Sequence, residues 1–144
     1  MPDESTGGPF LNVAVLCEKI LQEKDGVLSI IRMIDRVQVE GSAEEMPPIP
    51  FQCFVVVALK AGIARGKYTI KITPHSPSGV RLPAAELPAL LEGEDRGAGV
   101  VFNLNIEIRE EGLYWFEVQV QDVLVTKIPL RFVYQRLVTG VSRS

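Results

Sequence analysis

Apolar and polar side chains alternate most clearly near the end of the chain. Tyr114, Phe116, Val118 and Val120 fall on one face, and Trp115, Glu117, Gln119 and Gln121 fall on the other. A period of two marks a strand with one face on a core and one nearer water. After a turn at Gln121-Asp122, the pattern returns in Leu124, Ile128, Leu130 and Phe132. The stretch 109–134 is therefore expected to form a β-hairpin at the centre of the fold.

The rest of the chain predicts strands around it. Phe10 to Cys17 is an apolar run, and Lys24-Asp25-Gly26 is a turn signal with Gly free to take positive φ. A long strand is expected from Val27 to Val39, apolar on both faces and thus central or covered. Arg32, Asp35 and Arg36 interrupt it, so these charges need partners or a strand bend. Pro47, Pro48 and Pro50 end pairing before a strand over 51–60. A Gly-flanked turn over 61–66 leads to a strand over 67–73, and the alternation of Phe102, Leu104, Ile106 and Ile108 gives another over 100–109.

Between them, prolines 74, 77, 83 and 88 and glycines 79, 93, 97 and 99 predict an irregular flap over 74–99, packed down by its leucines. Residues 1–9 and 137–144 read as short tails, leaving a domain over 10–136. About seven strands at short intervals predict an all-β protein, a single antiparallel β-sandwich of immunoglobulin-like type, with a C2-like sandwich as the alternative.

Composition narrows the functional classes. A chain of 144 residues can bury roughly 68–70% of its unfolded surface as one domain. The net charge of −3 argues against a nucleic-acid footprint, which needs concentrated Lys and Arg. No apolar run approaches the ~20 residues of a membrane-spanning helix, and the acidic, polar start is the reverse of a signal peptide. Cys17 and Cys53 lie in strand-like segments, which fits a cytoplasmic protein with buried thiols better than a disulfide framework.

Candidate chemistry is sparse. His75 is the sole histidine, in Thr-Pro-His-Ser-Pro, and is expected to be an exposed loop residue. No Cys, His or carboxylate cluster has metal-ligand spacing, so no metal or cofactor is expected. Glu44-Glu45, Glu94-Asp95 and Glu110-Glu111 read as solvated turns, because a calcium site needs aspartates converging from several loops. Lys60, Arg65, Lys67 and Lys71 read as a solvated outer face, since alternation sends Tyr68 inward and offers no base stacking. The candidates for binding a partner are Arg32, Asp35 and Arg36, a charged notch, and Trp115, which alternation places opposite Tyr114 and Phe116. Trp115 is expected beside Val123 and Val125, under the flap or at an interface.

Two resemblances follow from the residues. Glu110-x-Gly112-x-Tyr114-x-Phe116 resembles the immunoglobulin tyrosine corner, with Phe116 at the position of the second cysteine. The resemblance implies that the Tyr114 hydroxyl returns to the preceding backbone. The chain is also similar to a bacterial and phage family of small proteins of unknown function. Cys17-Glu18, Asp25-Gly26, Ser29-Ile30-Ile31-Arg32, Asp35, Glu111 to Phe116 and Ile128-Pro129-Leu130 carry that similarity, which implies no activity.

The expectation is a cytoplasmic, non-enzymatic module that binds a protein partner or a second copy of itself as a homodimer, and neither nucleic acid nor membrane. The rival is a small-ligand binder or hydrolase-like enzyme with 74–99 as its lid.

Overall fold

The computed structural model describes residues 7–138. Residues 1–6 and 139–144, most of the two expected tails, lie outside the described residues. Among those described there are seven strands and no helix: β1 (Phe10–Gln22), β2 (Leu28–Met33), β3 (Arg36–Gly41), β4 (Ile49–His75), β5 (Ala85–Ile108), β6 (Gly112–Val120) and β7 (Val123–Arg136). They form one hydrogen-bonded sheet in the order β2-β1-β4-β6-β7-β3, with β5 also paired to β4. Pairing is antiparallel except between β3 and β7, which run parallel. The sheet is therefore mixed, where a purely antiparallel one was expected.

β4 organises the sheet. Its first half pairs with β1, from Phe10↔Lys60 to Cys17↔Phe54. Its last residues pair with β6, from Ile70↔Val120 to His75↔Trp115. β5 follows β4 along both stretches. Bulges between Lys60 and Arg65 divide the β4–β5 ribbon into two arms. The expected turn over 61–66 is this bend within a continuous strand. The bend admits a close backbone approach: Ile63 N–H donates to Gly7 O at 2.6 Å. A Cβ on Gly62 would strike Gly7 O, and one on Gly8 would strike Ala61 O. Residues 7–9 are therefore held against β4, unlike the mobile tail expected over 1–9.

Both arms contribute to one core. Leu16, Val55, Val57, Phe102 and Leu104 come from the first arm, and Ile70, Ile72, Tyr114, Phe116, Val118, Leu130 and Phe132 from the second. Phe102, Leu104, Tyr114, Phe116, Val118, Leu130 and Phe132 were expected inward from the alternation over 100–109 and 114–132. Leu124, expected with them, is 49% exposed, because the β6–β7 register shifts between Val118 and Gln119 and sets it opposite Gln119. Phe51 of the first arm meets Phe132 of the second edge-on, with centroids 4.9 Å apart. The β6–β7 hairpin turns at Gln121 and Asp122, both at positive φ, which matches the twist of the flanking strands. At its other end the Tyr114 hydroxyl donates to Glu110 O at 2.8 Å.

Two further expectations are corrected. The flap expected over 74–99 is mostly strand, since β5 begins at Ala85 and only 76–84 connects it to β4. Pro88 is tolerated because β5 has a neighbour on one side only, and the glycines at 93 and 97 fall near the bend. The single strand expected over 27–39 is two strands at opposite edges of the sheet. β2 pairs with β1 and β3 with β7. Ile34 N–H donates to Leu16 O at 2.9 Å, and Arg131 N–H donates to Asp35 O at 3.2 Å. Residues 34–35 thus cross from one arm to the other. The reason lies in the charges: Arg32, Asp35 and Arg36 are all exposed at the crossing, while Ile34 and Val37 pack on the core. Apolar residues on both faces of the β1–β2 hairpin are only partly covered. Leu28 Cδ1 lies 3.8 Å from the place of a Cβ on Gly99 of β5, while Leu21, Val27, Ile30 and Met33 stay exposed.

A candidate protein-binding notch at the strand crossing

The crossing from β2 to β3 opens a concavity of 670 Å³. Arg32, Asp35 and Arg36 line it together with Glu18, Gln38 and Gln52, and Phe51 lies at its floor beside the core. Three residues expected at a partner surface are thus gathered in one place. Arg32 Nε is 3.4 Å from Glu18 Oε2, but both side chains are largely exposed and such a pair contributes little. Asp35 uses its backbone to hold β7, and its carboxylate forms no ion pair among the described residues.

Two unpaired strand margins border the notch. Pairing of β1 with β4 stops at Cys17↔Phe54, so Ile49 to Cys53 pair with β5 alone. β3 pairs with β7 alone. Phe51 and Gln52 from one margin, and Arg36, Val37 and Gln38 from the other, face the same space. Unpaired backbone of this kind is what an added strand satisfies.

Trp115 is not part of the notch. It is 36% exposed on the outer face of β6, in register with His75 on one side and Pro129 on the other. Lys127 Nζ sits 5.3 Å from its ring centroid. Val123 and Val125 lie at the far end of the hairpin, because the register pairs Val123 with Val120. The expected neighbourhood of Trp115 is therefore corrected.

The other candidates resolve individually. His75 is the last residue of β4 and is partly buried, not an exposed loop residue. Its Nε2 lies 3.1 Å from Glu117 Oε1 yet makes no hydrogen bond, so distance and alignment disagree; the contact is a close approach only. Cys17 and Cys53 are buried and unbridged. Burial pushes the Cys53 thiol up to about 12, with Cys17 nearby adding to the rise, and burial raises Cys17 as well. Neither thiol is then a ready nucleophile.

A cavity of 340 Å³ lies under the 76–84 connection, lined by Leu82, Ile106, Ser76 and Tyr114 among others, but His75 does not line it. The Tyr114 hydroxyl there is committed to Glu110 O, and burial raises its pKa despite that bond. Of the acidic pairs, Glu110 accepts from Ser78 Oγ at 2.7 Å and Glu111 from Tyr134 N–H at 3.0 Å, which makes that turn a brace. Among the described residues, no group of three metal-ligating side chains is present and no helix is long and apolar enough to cross a membrane.

Residues 12–133 match the model of a family described as Family of unknown function (DUF6941). The chain belongs to DUF6941. No curated protein matches this DUF6941 chain. Among solved structures it is similar to a β-glucosidase from Listeria innocua in complex with isofagomine. That similarity has a TM-score of 0.45 and 14% identity, and covers 88% of this chain and 17% of that one. The DUF6941 chain thus spans about a sixth of the enzyme's length.

Glu18, Gln38, Phe51 and Gln52 complete the notch and were not expected there. They come from three separate strands, brought together by the pairing of β1 with β4 and by the crossing at 34–35. Glu18 stands in the stretch of family resemblance, which is the one sequence signal that bears on it.

Proposed function

We propose that this protein is a non-enzymatic protein-binding or assembly module acting in the cytoplasm of a bacterium or phage-infected cell. Two free, buried thiols fit a reducing compartment. We read the two-armed sheet as an immunoglobulin-like sandwich, and the Tyr114–Glu110 bond as its tyrosine corner. The observation that carries the function is the notch, where charged side chains stand between two strand margins that lack neighbours. A partner strand would gain backbone hydrogen bonds there, and Arg32, Asp35 and Arg36 would select its side chains. That partner is another protein or a second copy of this chain.

The test is purification of the tagged protein from lysate of its host, beside the double variant Arg32→Glu, Asp35→Lys. Both side chains are exposed, so the variant's thermal midpoint should match the wild type. A partner at fixed stoichiometry with the wild type and absent from the variant is the expected result; sedimentation velocity identifies a second copy in the same way. Equal recovery by both proteins would contradict the reading. The cavity under 76–84 favours the rival, a small-ligand binder, and a ligand carried through purification and displaced by Ser76→Leu would support it.

A further inference from the structure

We propose that the outer face of the second arm, around Trp115, docks an extended acidic segment of a protein partner. This rests on the protein-binding reading above and assigns the chemistry of what is bound. Alternation sets Trp115, Lys127, Pro129 and Arg131 on the side of β6 and β7 away from the core, and Arg36 of β3 is the register partner of Arg131.

The face holds more positive than negative charge. Lys127, Arg131 and Arg36 form no ion pair among the described residues. Glu117, on the same face of β6, is the register partner of Lys127 and lies 3.1 Å from His75 Nε2, so the positive charge with no carboxylate opposite it is that of Arg131 and Arg36. Like charges at directly adjacent positions of neighbouring strands are unfavourable, and Arg36 and Arg131 occupy such positions. The molecule as a whole carries −3, so the Arg36–Arg131 pair stands against a net acidic background. Adjacent cationic side chains attract an acidic partner to that face.

Trp115 supplies the apolar anchor. It is the sole tryptophan of the chain and stays 36% exposed while its neighbours Tyr114 and Phe116 are buried. Two strand spacings and one two-residue step separate it from Arg36, roughly 12 Å. About four residues of extended chain span that distance. A segment crossing β6, β7 and β3 would lay an apolar side chain on the indole and place carboxylates against Lys127, Arg131 and Arg36. A protein segment fits better than a single-stranded nucleic acid, because Trp115 is the one exposed aromatic on this face among the described residues and successive bases need a series.

The experiment uses the full chain and a synthetic peptide alternating glutamate and valine, which has no fluorescence of its own, so Trp115 emission reports on the site directly. The expected result is a saturable shift of that emission. Affinity should fall about tenfold or more in Arg131→Glu and in Lys127→Glu, and weaken as salt rises from about 0.05 to 0.5 M. Lys24→Glu, in the distant β1–β2 turn, should bind as the wild type does. Circular dichroism melts establish that the variants fold, and Lys127→Gln gives a milder second variant. Unchanged affinity in Arg131→Glu and Lys127→Glu would overturn the proposal. So would equal binding of a lysine–valine peptide, or a larger emission shift with a single-stranded oligonucleotide. A partner lost on substitution in the notch but retained by Arg131→Glu and Lys127→Glu would remove this face and leave the binding module standing.

Discussion

Arg36 stands beside Arg131 in the parallel register of β3 and β7, so two guanidiniums share a patch of surface with no carboxylate paired to either. Arg36→Glu replaces a repulsive cross-strand pair by an attractive one. It should stabilise the protein by roughly 0.2–1 kcal/mol, read as a higher urea midpoint at unchanged slope. Destabilisation would mean that Arg36 is held by something other than its exposed position.

Cys53 makes a separate prediction at the same scale. Its thiol is pushed up to about 12 by burial, from an ordinary value of 9.0. A group that loses its proton less readily when folded contributes stability that is fully present below the unfolded value and is lost as pH rises through the folded one. Stability should therefore decline between about pH 9 and 12, and the decline should be shallower in Cys53→Ala. A thiol reagent at neutral pH should modify Cys53 only on unfolding.

Among the elements, the bent β4–β5 ribbon makes one sheet serve two arms. Gly62, at φ +61°, lies at that bend against Gly7 and the Phe10 ring. Gly62→Ala introduces a Cβ into both contacts at a left-handed backbone position. It should cost on the order of 1–3 kcal/mol, measured by denaturant unfolding, whereas Gly26→Ala in the open β1–β2 turn meets nothing within 4 Å and pays only the conformational cost. Equal effects at the two sites would show that contact at the bend is unimportant.

The elements also show what the sequence makes legible. Alternation over 102–108, 114–120 and 128–132 indicated which residues face the core, because burial on one side imposes a period of two. It misled at Leu124, which is exposed because the register shifts between Val118 and Gln119. Prolines and glycines over 83–99 misled for a definite reason. They mark an edge strand and a bend as well as they mark a loop, and local chemistry does not distinguish the two. The charges at 32–36 indicated a break, but not that the strand halves lie at opposite edges of the sheet. That is decided by pairing with β1 and β7, which are distant in sequence.

For the molecule as a whole, the crossing at 34–35 has two consequences. It joins the arms around one core, and it leaves Arg32, Asp35 and Arg36 at a notch with unpaired strand margins on both sides. Arg32, Asp35 and Arg36 stood out by their charge alone, while Glu18, Gln38 and Gln52 became neighbours only through long-range pairing. Trp115 lies on the outer face of β6, outside the notch, and Arg36 stands where that face borders the notch. The most direct measurement is photo-crosslinking in the host from a reactive side chain substituted at Gln52, within the notch, and separately at Lys24, outside it. A discrete protein adduct from position 52 and none from position 24 is the result predicted here; no adduct from position 52, or the same adduct from both, would contradict a binding notch at the crossing.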